Sequence, residues 1–160
     1  MILYHGSNTD VREPRIITSN RALDFGAGFY TTSDKEQAIR WARLQTLRRR
    51  TGIPTVTAYE FDTEKAEQLA VLHFDHAGSN WLRFVSQNRK GIYSGQIYDI
   101  IYGPVANDNT MPVISDYIAG AISEETALIL LKPQKLADQY AFLSESGLSA
   151  LSFVEVQNLE

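Results

Sequence analysis

The residues best equipped for chemistry are His5, Gly6 and Ser7, which follow a short apolar run at the start of the chain. A polar triplet ending a strand usually marks a turn, and this one carries an imidazole. Farther on, Phe25-Gly26-Ala27-Gly28-Phe29-Tyr30 sets two glycines one residue apart before an aromatic pair. Glycine lets a backbone take φ > 0 and come close to a ligand. Trp41 follows Tyr30 by eleven residues. If a helix separates them, the two rings can stand over one glycine-lined floor, a slot for a flat ring. Arg12, Arg15 and Arg21 lie between these motifs, where they could meet an anion or simply be solvated. His73 and His76 have a spacing found in metal sites. Only Asp75 lies beside them, so a surface or core role is expected and no metal is.

The elements that must hold these residues follow from pattern. Met1 to Tyr4 reads as a strand and Thr9 to Ala22 as a loop. Ser33 with Glu36 three residues later forms a capping box, which opens a helix over Asp34 to Arg50 that Gly52 ends. Ala38, Trp41 and Ala42 share a face of that helix, with Leu44 and Leu47 adjoining it. Its arginines occupy the rest, and those in the last turn suit the helix dipole or form a basic patch for RNA. Pro54 to Asp62 alternates as a strand, with Val56, Ala58 and Glu60 opposite Thr57, Tyr59 and Phe61. Leu69 to Phe74 and Tyr98 to Tyr102 are further strands. Ser79 to Lys90 is a helix with Trp81, Leu82, Phe84 and Val85 inward. Met111 to Ala119 and Ser123 to Leu131 are helices, the second with Leu128, Leu130 and Leu131 for the core. Asp138 to Phe142 and Leu151 to Val156 are strands with a turn or short helix between them. About six strands and four helices in mixed order favour an α+β fold over a parallel doubly wound sheet.

The 160 residues suit one domain, 1–160, with a sizeable core. Apolar residues make up 44% and charged residues 21%, an ordinary globular mix. No apolar run is long enough to cross a membrane and no secretory leader is recognisable, so no membrane association is expected. Absence of cysteine excludes disulfides, thiolate metal sites and a cysteine nucleophile, and fits a cytoplasmic location. A net charge of −4 argues against strong nonspecific nucleic-acid binding but not against a nucleic acid held as substrate. The common phosphate-cradling motifs are missing.

Taken together, the motifs resemble the ADP-ribosyltransferase superfamily, the diphtheria-toxin-like and poly(ADP-ribose)-polymerase-like enzymes. His5-Gly6-Ser7 is similar to their His-Gly-Ser/Thr, Gly26-Ala27-Gly28-Phe29-Tyr30 to their Gly-x-Gly-x-Tyr, and Trp41 falls at their second aromatic. Asp138-Gln139-Tyr140 resembles the strand that carries their catalytic glutamate. The whole is similar to bacterial members of domain of unknown function family 3990, regarded as toxin-like transferases. The resemblance implies a split mixed β-sheet core with flanking helices, NAD as substrate and no metal. His5 would bond the adenosine ribose, and Gly6 would offer backbone groups to the nicotinamide carboxamide. Ser7 would assist, Gly28 would line the floor, and Tyr30 and Trp41 would sandwich the ring. His5, Tyr30 and Gln139 would form the catalytic set. An indole face suits a pyridinium cation.

Two positions depart from the family pattern. Ala38 stands where a serine often bonds the carboxamide, and Gln139 stands at the glutamate position. A neutral amide gives and takes hydrogen bonds but brings no charge to a developing cation. Polymer elongation is therefore not expected, while single transfer stays open; Glu145 is a weaker substitute for the carboxylate. The expected activity is mono-ADP-ribosyl transfer to a protein or nucleic-acid acceptor by a toxin-type effector, for which the family allows an antitoxin partner. The alternatives are an NAD or ADP-ribose binding module without transfer, and an NAD glycohydrolase. Strand alternation puts Tyr140 and Phe142 in the core and turns Gln139 and Ala141 to the cleft.

Overall fold

A computed structural model describes residues 1–18 and 23–159. Arg21 and Ala22 of the loop above, and with them the suggestion that Arg21 meets an anion, lie outside the described residues. The fold is α+β, with seven strands and six helices among the described residues, two of those helices being single turns. Strands β1 (Ile2–Ser7), β3 (Thr55–Phe61) and β7 (Leu151–Asn158) form an antiparallel sheet in the order β1-β3-β7. Strands β2 (Phe29–Thr31), β4 (Val71–His73), β5 (Ile100–Pro104) and β6 (Asp138–Phe142) form a second sheet in the order β2-β6-β5-β4, with only β4 and β5 parallel. A single bridge, Tyr4 to Thr32, ties the two sheets at their β1 and β2 edges. The helices are α1 (Lys35–Arg49), α2 (Thr63–Ala66), α3 (Ser79–Arg89), α4 (Met111–Ile118), α5 (Glu124–Leu131) and α6 (Glu145–Leu148). Among the described residues, no helix is long and apolar enough to cross a membrane.

Alternation along the strands sorts the side chains into three layers. Leu3, Phe29, Tyr59, Phe61, Ile100 and Phe142 fill the space between the sheets. Ala141 and Ile101 face the other side of the second sheet, where Trp81, Leu82 and Val85 of α3, Ile114 of α4 and Leu131 of α5 cover them. Ala38 and Ala42 of α1 lie with Val56 and Tyr4 on the outer face of the first sheet.

Several boundaries differ from the sequence reading. The His5-Gly6-Ser7 triplet is strand, not turn, because its backbone pairs with Thr55 to Thr57 of β3. The cap of α1 is Asp34, whose carboxylate accepts from the amides of Glu36 and Gln37. Ser33 is instead tied to Asp138: its amide donates at 2.8 Å, and its hydroxyl also bonds that carboxylate. The helix ends at Arg50 in the left-handed conformation (φ 56°), two residues before Gly52. Leu44, Leu47 and Leu130 are exposed rather than core. Two alanines can lie closer to a sheet than leucine permits, so α1 is seated on the short side chains of its inner face.

Candidate active site

His5 and Tyr30 meet through the backbone. The Nδ1 of His5 donates to the carbonyl oxygen of Tyr30 at 2.7 Å, and its ring stacks on Phe29 with centroids 4.2 Å apart. A carbonyl only accepts, so the proton sits on Nδ1 and Nε2 of the neutral ring is an acceptor. Burial lowers the pKa of His5 from 6.5 to about 4; the Tyr30 carbonyl opposes that shift and the Arg49 charge adds to it. The imidazole is therefore neutral at pH 7. Arg49 is positioned by Asn8, whose Oδ1 accepts from it at 3.2 Å and also from the Ser7 hydroxyl at 3.3 Å.

The ring of Tyr30 lies on the opposite face of β2 from Phe29, packed against the layer that contains Phe25, Trp81 and Leu82. Its hydroxyl donates to Gly26 O at 2.6 Å and accepts from the amide of Phe25 at 2.9 Å, closing the glycine turn. Burial pushes its pKa well above the ordinary tyrosine value, with the nearby Asp24 carboxylate adding to the effect. Gly26 takes φ 94°, which suits glycine. Gly28 is required for a different reason: a Cβ there would lie 2.6 Å from Leu143 Cδ2 and 2.8 Å from Phe142 O. Gly6 is likewise pressed against α1, where a Cβ would stand 2.0 Å from the Ala38 carbonyl oxygen.

Gln139 shares the face of the second sheet with Ala141, as alternation predicts, but that face is covered and Gln139 is only 3% exposed. The expected split into one core face and one open face does not hold, because β6 lies inside a sheet covered on both sides: Phe142 and Ala141 are both buried. The amide nitrogen of Gln139 donates to Asp24 Oδ2 at 2.9 Å and to Pro104 O at 3.3 Å. The other oxygen of Asp24 takes Arg89 Nη2 at 2.5 Å and Nε at 2.7 Å. Asp24, accepting with both oxygens, fixes which end of the amide faces it, and among the described residues no hydrogen bond reaches Gln139 Oε1. Sequence reasoning missed Asp24 and Arg89. Asp24 lies two residues before Gly26, and its signal was that adjacency; an arginine in a last helical turn reads by default as a dipole partner.

The remaining candidates scatter. Trp41, half-buried, sits on α1, which packs on the outer face of the first sheet, and no ring among the described residues stacks on it. Arg12 pairs with Asp10 at 3.1 Å and lies over the Phe153 ring, while Arg15 is exposed. Glu145 is exposed at the start of α6. His73 stacks on Tyr102 and its Nδ1 is 3.4 Å from Asp75. Among the described residues no three His, Cys, Asp or Glu side chains gather as a metal would require. A cleft of about 460 Å³ opens where α3 begins, between His76, Pro104 and Lys132.

Comparison with curated proteins and with solved structures gives no match. Residues 1–153 match the family model described as protein of unknown function (DUF3990), and the chain belongs to that family.

Proposed function

We propose that the protein is an NAD-dependent mono-ADP-ribosyltransferase with an ADP-ribosyltransferase-like split-sheet core, acting as a toxin-type effector on a protein or nucleic-acid acceptor. The observation that carries this reading is the pinned, neutral His5, joined at 2.7 Å to the strand that bears Tyr30. These are the first two residues of the catalytic set that the motif resemblance implies. An imidazole held neutral, with Nε2 left as an acceptor, suits a ribose hydroxyl donor. The Gln139 carbonyl oxygen, turned away from Asp24 by its amide nitrogen, is the other acceptor of the implied set, and substrate must displace the cover over its strand face to reach it. In transfer, the bond from ribose C1′ to the nicotinamide nitrogen breaks and neutral nicotinamide leaves with the electron pair. The acceptor then bonds C1′ and loses its proton. A fixed carbonyl dipole near the developing cation lowers the barrier less than a carboxylate would.

A second reading, an NAD or ADP-ribose binder without transfer, is favoured by one observation: both bonds made by the Gln139 amide nitrogen are internal. Labelled NAD incubated with protein and cell lysate separates the two. Label on a macromolecule with released nicotinamide supports the transferase, and free ADP-ribose indicates a glycohydrolase. Unchanged NAD with measurable affinity indicates the binder. Gln139→Ala is expected to cost about 10²–10³ in rate with much less loss of affinity, as for removal of one preorganised group. Trp41→Ala, expected to weaken NAD binding by about 1–3 kcal/mol if its indole covers the nicotinamide, tests the residue whose placement supports the site least.

A further inference from the structure

Helix α1 presents an outward face that the rest of the described residues leave open. Residues 35–50 hold six of the fifteen lysines and arginines, with Glu36 their only acid, on a chain of net charge −4. Among the described residues no ion pair reaches Arg40, Arg43, Arg48 or Arg50. Among the described residues Arg40 and Arg48 bond only to Gln37 and Gln45 of their own helix, at 2.6 and 3.2 Å. Between these arginines stand Leu44 and Leu47, 54% and 75% exposed. Residues 40, 43, 44, 47 and 48 are related by three- and four-residue steps and share one side of the helix. The buried Ala38 and Ala42 are on the other.

We propose that this face binds an acidic amphipathic helix of a partner protein, its carboxylates on the arginines and its apolar residues on Leu44 and Leu47. The two features select this occupant jointly. Phosphates would use the arginines, but the two exposed leucines contribute nothing to them. A second copy meeting through the same face would set arginine against arginine, as a two-fold contact requires. A membrane surface needs a gathered apolar face, whereas two leucines here are interspersed with charge. Planar guanidinium groups suit carboxylates, and exposed leucines suit the apolar stripe of a docked helix. The proposal does not depend on the transferase reading.

The test is fluorescence anisotropy with a labelled synthetic helix of about 20 residues, long enough to hold helical structure, with leucine at three- and four-residue steps and glutamate between them. The comparison probes are a scrambled peptide of the same composition, a single-stranded RNA and phosphatidylserine vesicles. The amphipathic peptide is expected to bind at least about tenfold more tightly than the scrambled one. The Leu44→Ser/Leu47→Ser double variant and the Arg40→Glu/Arg43→Glu/Arg48→Glu triple variant should each weaken it by about tenfold or more. All five positions are exposed, so both variants should fold, which circular dichroism checks. The proposal is overturned if no probe binds up to about 1 mM, if scrambled peptide, RNA or vesicles bind as well as the amphipathic peptide, or if the leucine variant binds like the parent.

Discussion

Helices α1 and α3 reach their sheets by opposite means. α3 has eleven residues and inserts Trp81, Leu82, Phe84 and Val85, all buried, into the layer behind β5 and β6. α1 has fifteen residues and buries only Ala38 and Ala42, letting its backbone come against Gly6 of β1. One helix is held by the volume of its side chains, the other by their smallness. Burying apolar area stabilises roughly in proportion to that area. α3 therefore contributes more to stability per residue, while α1 can present a long outer face of arginine and leucine.

The largest expected effect is on the α3 side. Trp81 is fully buried and its indole N–H donates to Pro104 O at 2.9 Å, the same carbonyl that takes the Gln139 amide. Trp81→Ala should cost about 3–5 kcal/mol of stability through lost transfer energy and an unfilled cavity. Urea denaturation measures it. A loss below that of any α1 substitution would reverse the comparison.

Next in size is a pH effect at the seat of β1. His5 has a folded pKa of about 4 against 6.5 unfolded, so the unfolded chain binds its proton first as pH falls. The contribution of neutral His5 is complete above pH 6.5 and is lost as pH drops from there through 4, a total on the order of 3 kcal/mol. His5→Asn keeps a donor for the Tyr30 carbonyl without the titration, and should flatten the stability profile over that window. A parallel profile in parent and variant would place the proton uptake elsewhere.

These contrasts also explain what was legible in the sequence. The α3 side was readable because large apolar residues at helical spacing announce a buried face, and Trp81, Leu82, Phe84 and Val85 are all buried as expected. Alternation likewise sorted Val56, Ala58 and Glu60 from Thr57, Tyr59 and Phe61 on β3. The seat of α1 was not readable, because alanine and glycine carry little periodic signal and Leu44 and Leu47 carry a misleading one. The network of Asp24, Arg89 and Gln139 was hidden for another reason: its members are 65 and 115 residues apart from Asp24, and only the tertiary fold joins them. Gln139 was recognised by its strand, while its burial came from helices that cover the strand's other face.

Smaller again is Gly6→Ala. Its Cβ would meet the Ala38 carbonyl oxygen at 2.0 Å and the Ala42 amide nitrogen at 2.8 Å, both backbone atoms that no rotamer change can move. The helix must lift from β1 at a cost of about 1–3 kcal/mol, typical of overpacking. Because Arg49 and Asn8 bridge α1 to the end of β1, the shift should also be visible in the His5 environment by NMR. An alanine accepted with no loss of stability would show that α1 does not depend on close approach.

The smallest expected effect sharpens the comparison most. Leu47 is 75% exposed in the last turns of α1, far from the cap at Asp34, and its residue type alone would place it in a core. Leu47→Ala removes side-chain area that is already in water and replaces one strong helix former with another. Stability should change by no more than about 0.5 kcal/mol, the range of ordinary surface substitutions. A loss of the size expected for Trp81 would mean that Leu47 is covered in solution and that α1 is held by its side chains after all. A null effect, beside a clear loss for Gly6→Ala, would fix the seat of α1 in the two alanines and the glycine beneath them.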